Sequence, residues 1–193
     1  MNKSRQIAYT ATFIALIFIS LMLDTAIGSL MPIKPAIISL PTVFTFILAT
    51  GGIVNAVVGG LSFGILSLAR SFLTGSVPFQ NPLVSVLPRM ILGIATYGVY
   101  KLSSKVLRRK ERKEEYSVAI ASAIGVVINT ATVLTMMYLT SHSTIEDVFG
   151  AIISINFPIE IVATTILTPI LTIGVKRGIG KAKKRIVPTQ EEE

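Results

Sequence analysis

From Pro35 to Ala69 the sequence runs without a single charged side chain. A helix in hydrocarbon needs about 20 consecutive apolar residues to cross, and must satisfy its backbone polar groups within the segment. The run is too long for one crossing, so it must hold two helices or a helix and a loop. Gln6–Leu23 and Tyr116–Ile145 are uncharged as well. Charged residues make up 15% of the chain, against roughly 25% in an ordinary soluble domain. The fold class these runs specify is an all-α, polytopic membrane protein.

Six spans account for the pattern: about Gln6–Leu23, Pro35–Thr50, Ile53–Leu73, Pro82–Leu107, Tyr116–Thr140 and Val148–Lys176. The second is short and ends at the pair Gly51-Gly52. The first could be mistaken for a secretory signal, but the following "LDTAIGSL" is a weak cleavage site, so it is read as a span. Pro82 suits a first helical turn. Pro88, Pro158 and Pro169 fall inside spans and are expected to kink them or free carbonyls. Residues 1–186 form one six-helix membrane domain, and 187–193 a polar tail. Neither an internal repeat nor a low-complexity tract is visible.

The net charge of +8 raises the question of nucleic acid. Placement answers it. Fifteen of the 18 basic residues fall in three clusters: Lys3/Arg5, Lys101–Lys113 and Lys176–Arg185. All three flank apolar spans on what six crossings make the same side. The positive-inside rule then puts both termini and the "RRKERKEE" loop in the cytoplasm, with no nucleic acid partner implied. The loops Asp24–Lys34, Thr74–Asn81 and Ser141–Asp147 face outward.

Several chemistries lack their residues. There is no cysteine, and the single His142 sits in a loop, so no metal site is expected. No GxxxxGK[ST] phosphate loop, HExxH pair or GxSxG elbow occurs. Glu160 is the only acidic residue read inside a span, which leaves no carboxylate pair for acid–base work. The chain is therefore expected not to be an enzyme and to carry no cofactor.

Small residues recur at one-turn spacing. Gly52, Ala56, Gly60 and Gly64 line one face of span three, and Ala8, Ala11 and Ala15 lie in span one. Such spacing lets helix backbones approach closely, within the chain or against another subunit.

The polar residues inside the spans are the candidates for function. Arg89 lies seven residues into span four and Glu160 about twelve into span six, with Asn156 one turn before it. Asn129 is near the middle of span five, and Arg70 near the outer end of span three. Intramembrane charges pair with one another or line a wet cavity. An Arg89–Glu160 ion pair holding helices together is one account. The other is an outward-facing site in which Arg89 meets a carboxylate and Asn129 and Asn156 meet hydroxyl and amide groups. Glu160, Arg70, Asn81 and Tyr97 complete the candidate set.

Taken together, the six short spans, "ATFIA" at 11–15, Gly51-Gly52 with a glycine-rich span three, and "NPLVSVLPR" at 81–89 resemble a known family. It is the substrate-binding S components of energy-coupling factor (ECF) vitamin transporters, most closely those assigned to pantothenate. The resemblance covers nearly the whole chain. It implies capture of a small vitamin near the outer face, with a transmembrane coupling subunit and two ATPase subunits as partners in a bacterial cytoplasmic membrane. It implies that Ala11 and Ala15, with Ala8 beside them, contact the coupling subunit, and that Asp24–Lys34 forms a lid. Tryptophan is absent, and Tyr97, Tyr138 and Phe157 are the few aromatic candidates for stacking, which favours pantothenate over a ring-shaped vitamin such as riboflavin or thiamin. Two other readings stay open: a standalone proton-coupled carrier using Glu160, and a scaffold whose buried charges are structural.

Overall fold

The computed structural model describes residues 3–30, 36–108, 111–141 and 156–186. Its elements are α1 (Lys3–Ser29), α2 (Ser39–Thr50), α3 (Ile53–Thr74), a 3-10 turn (Val77–Gln80), α4 (Pro82–Ser85), α5 (Leu87–Val106), α6 (Lys113–Ser141) and α7 (Asn156–Ile186). Five segments are long and apolar enough to cross a membrane, with α4 and α5 counting as one. The sixth, α2, has 12 residues and spans about 18 Å. The protein is an all-α, multi-pass membrane protein.

Side-chain contacts fix the helix directions. Ser20 meets Thr42 across α1 and α2, Ser103 donates to the Ser117 carbonyl across α5 and α6, and Lys176 reaches Glu114 across α7 and α6. Each is an antiparallel pair. One end of the bundle therefore gathers the end of α1 and the starts of α2, α4 and α7. The other carries the described parts of the basic clusters.

The shortest helix is the most buried. α2 is apolar on all sides, and nine of its residues, including Val43, Phe44, Phe46 and Ile47, are shielded. A helix apolar all round belongs in an interior. Phe13 of α1 packs against Phe46 with centroids 5.2 Å apart and the rings tilted by 44°. Outward faces stay apolar too: Ile7, Ile19, Leu73, Val162 and Ile170 are each more than half exposed. That surface suits lipid, where burying it between helices gains little.

What holds helices together in lipid is close approach, and here the glycines supply it. A Cβ on Gly60 would lie 2.3 Å from the Arg89 carbonyl oxygen, and one on Gly93 would lie 2.2 Å from that of Ala56. Gly64 abuts Val86 in the same way. The stripe Ala56–Gly60–Gly64 is thus spent on packing α3 against α5 within the chain. Gly52 serves differently: with Gly51 it turns the chain between α2 and α3 at φ +89° and +65°, a region that favours glycine.

Several boundaries differ from the sequence reading. The first helix does not stop at Leu23 but runs to Ser29, so Asp24 is helical and buried rather than the start of a loop. Its carboxylate oxygens accept from the Ile38 and Ser39 N–H groups, which lets the helix continue past a polar group. Span four is broken at Val86, and Pro88 opens α5 rather than kinking a continuous helix. Pro169 does lie inside α7. The last helix continues ten residues past Lys176, to Ile186. Residues 31–35, 142–155 (with His142) and 187–193 lie outside the described residues.

At the basic end, Lys176 Nζ lies 2.5 Å from Glu114 Oε1 and donates to the Tyr100 hydroxyl at 3.1 Å, joining α7, α6 and α5. Both charged partners are partly exposed, so the pair is worth little. Replacing Glu114 with glutamine is expected to cost no more than about 1 kcal/mol, read as a small drop in thermal midpoint in detergent.

Candidate functional site

Arg89 is explained from the residue before it. Proline has no N–H, so Pro88 leaves the carbonyl one turn back, on Val84, without its helical donor. Arg89 Nη1 donates to that oxygen at 2.7 Å. The arginine thus mends the break that its neighbour makes. The hydroxyl of Ser85 donates to the Phe79 carbonyl and pins the 3-10 turn against α4. That brings the Phe79 ring to 5.5 Å from the guanidinium carbon, with Phe63 of α3 at 5.9 Å.

This leaves most of the guanidinium unused. Arg89 is 7% exposed. Its Nε is buried without a hydrogen-bond partner among the described residues. No carboxylate lies within 4 Å of it there, and the Arg89–Glu160 ion pair, one of the two accounts open from sequence, is not formed. Glu160 Oε1 instead accepts from the Ala36 backbone N–H at 2.8 Å. The charges nevertheless share one region. Arg89 lies within electrostatic reach of Arg70 and Glu160, and Glu160 within reach of Asp24 as well. Two aromatic faces and a carbonyl hold the cation in place without neutralising it. A buried guanidinium in that condition favours an anion that can take its free N–H groups in pairs.

The other candidates divide. Arg70 is half-buried at the edge of this cluster, facing Asp24 and Glu160 rather than lipid alone. Asn129 is 8% exposed, and its Oδ1 has no partner among the described residues. Asn81 Oδ1 caps α4 by accepting from Leu83 N–H at 2.9 Å. Tyr97 is eight residues beyond Arg89, about 12 Å along the helix. It packs on the main core, with Lys101 over its ring at 5.6 Å, and is not gathered into the charged cluster. Tyr138 is more than half exposed, while Phe157 packs on the main core. Asn156 begins α7, and its side chain lies outside the described residues. Ala8, Ala11 and Ala15 lie exposed on α1.

Sequence reasoning missed three things. Asp24 lies inside a helix where the sequence predicts a loop, and its place at the end of an apolar run is the only local signal. Phe63 and Phe79, the rings against Arg89, carry no such signal. Thr164, Thr168 and Thr172 follow Glu160 at four-residue steps, fully buried and with unpartnered hydroxyls among the described residues. Their spacing was readable. A cleft of about 370 Å³ at the basic end is lined by Glu111, Glu114 and Glu115 against Arg112, Lys176 and Arg177. Balanced charge gives it no preference for an anion.

Fold and site together define a multi-pass helical membrane protein with a cluster of charged groups inside one end of its bundle. Two curated transporters are similar to it. The pantothenic acid transporter PanT of Lactococcus lactis subsp. cremoris (strain MG1363) is 27% identical over 190 residues, covering 86% of this chain and 91% of that protein. The pantothenate transporter PanT of Leuconostoc mesenteroides subsp. mesenteroides (strain ATCC 8293) is 26% identical over 189 residues, covering 86% of this chain and 89% of that protein. No family model matches the chain.

Proposed function

We propose that this chain captures pantothenate at the outer face of a bacterial cytoplasmic membrane, as the substrate-binding subunit of an ECF-type transporter. The observation that carries the proposal is the buried Arg89 guanidinium with no carboxylate within 4 Å among the described residues. Two similar proteins named for pantothenate transport agree with it.

Pantothenate carries one carboxylate, two hydroxyls and an amide. Arg89 takes the carboxylate through its fork of donors. Asn129 and Asn156, each able to donate and accept, take amide and hydroxyl groups. Arg70, Asn81 and Glu160 border the site. On the resemblance to ECF S components, ATP is hydrolysed by two partner ATPase subunits through a transmembrane coupling subunit, which suits a chain whose sequence has no nucleotide-binding loop. The exposed alanines of α1 give that subunit a close approach. In this reading both termini lie in the cytoplasm, an orientation that the basic clusters favour. A proton-coupled carrier built on Glu160 is less well supported, because that carboxylate is engaged by the Ala36 N–H. Riboflavin would need ring faces to stack on, and the two rings beside Arg89 are turned to the guanidinium.

Calorimetry on the purified chain tests the reading, with pantothenol as the decisive comparison because it replaces the carboxylate with an alcohol. Pantothenate is expected to bind, and pantothenol at least 30-fold more weakly, matching the roughly 2 kcal/mol of a lost charge-assisted contact. Equal binding of the two, or of riboflavin in their place, would reject Arg89 as a carboxylate site. The partner assignment is tested separately. Ala11→Trp is expected to reduce co-purification with the coupling subunit at least tenfold while pantothenate binding stays within threefold. Undiminished co-purification would remove α1 as the docking face.

A further inference from the structure

We infer that Asp24 and Glu160 are positioning residues that latch the backbone leading into α2, and so set how fast ligand enters and leaves the site. For the ligand's identity this rests on the capture reading above. The latch itself rests on geometry alone.

A helix N-terminus leaves N–H groups without intrahelical acceptors, and a Ser, Thr, Asp or Asn at the N-cap commonly supplies one. At α2 the N-cap is Ile38, whose side chain has no acceptor. Acceptors come from elsewhere in the fold. Asp24 of α1 accepts from Ile38 N–H through Oδ1 and from Ser39 N–H through Oδ2, each at 2.9 Å. Glu160 of α7 accepts from Ala36 N–H at 2.8 Å. Two carboxylates from two different helices therefore hold residues 36–39 from either side. Asp24 is 3% exposed, so its bonds form away from water.

Glu160 is also the acidic group whose charge reaches both Arg70 and Arg89, and Asp24 reaches Arg70. Neither lies within 4 Å of an arginine among the described residues. Each is shared between the backbone it holds and the pull of an arginine. An anion seated at Arg89 removes that competition and leaves Glu160 to the Ala36 N–H. Release of the anion restores it. The segment 36–39 is thereby tied to the state of the site without touching the ligand.

The test is the dissociation rate of radiolabelled pantothenate from the full chain in nanodiscs. Glu160→Ala is expected to speed dissociation at least tenfold. Glu160→Gln keeps a carbonyl acceptor for Ala36, so it should dissociate at least threefold more slowly than Glu160→Ala. Asp24→Asn, which keeps one of two acceptors, should fall between. Glutamine as fast as alanine would overturn the latch, because charge rather than the backbone bond would then matter. A lower thermal midpoint with unchanged dissociation would overturn it too, as a purely structural cap. Should the alanine variant fail to fold, Glu160→Asp, one methylene too short to reach, takes its place. Failure of the unaltered chain to bind pantothenate would instead reject the capture reading. The latch is then judged by amide hydrogen exchange at Ala36. At least tenfold faster exchange in Glu160→Ala, restored in Glu160→Gln, supports it, and no change rejects it.

Discussion

Replacing Arg89 with glutamine is expected to weaken pantothenate binding by at least 30-fold while leaving the chain folded. Glutamine keeps an amide donor to turn toward the Val84 carbonyl that Pro88 frees, on a shorter side chain, so more of the local repair survives than in alanine. What goes is the positive charge and the paired donors that a carboxylate would use. Losing a charge-assisted contact costs about 2 kcal/mol or more, which is the stated factor. Arg89→Ala removes both, and should show the same loss of binding together with a lower thermal midpoint, because a buried carbonyl is left bare. The two variants separate the roles. If Arg89 only mends the helix break, glutamine will bind like the unaltered chain and alanine will be merely unstable. If it is a ligand contact, both lose binding and alanine loses more stability. Arg89→Lys is a third point: it keeps the charge but not the planar fork, so it should recover part of the affinity.

The helices were legible because a bilayer imposes one rule on every residue of a span, and uncharged runs obey it locally. The α3 glycines were legible for a related reason. Four-residue spacing fixes a face, and small residues on a face admit a neighbour, although the sequence could not say that the neighbour was α5. Arg89 was readable as an oddity, and even its partner was in principle readable, since Pro88 must free the carbonyl of Val84. The acids were not. Glu160 meets Ala36, a partner 124 residues away, and nothing near either residue announces the other. Asp24 looked like the end of a helix because a charge ends an apolar run. A buried carboxylate taken up by two backbone N–H groups behaves as a polar group already satisfied, and a helix can pass through it. The choice between an ion pair and a free site was illegible in the same way. Arg89 and Glu160 are the natural couple by charge and depth, yet backbone groups compete for both, and only the fold decides the winner.

Gly93→Ala is expected to destabilise the chain by about 3 kcal/mol, near the upper range for forcing a methyl into a packed interior. The added Cβ would meet the Ala56 carbonyl oxygen at 2.2 Å and the Gly60 Cα at 3.3 Å. Both are backbone atoms of α3, which no rotamer change can move. The helices must separate, and with them the contact in which Gly60 lies against the Arg89 carbonyl. Binding should therefore weaken along with stability, although residue 93 is a turn away from the guanidinium. Gly98 on the same helix is the control. It is exposed, and a Cβ there meets nothing within 4 Å. Alanine is the better helix former by up to about 1 kcal/mol, so Gly98→Ala should be neutral or stabilising. Thermal midpoints of the two variants in one detergent, alongside pantothenate affinity, check the pair. A Gly93→Ala chain as stable as Gly98→Ala would mean that α3 and α5 do not touch at their glycines. The placement of Arg89, which hangs on that seam, would then fall with it.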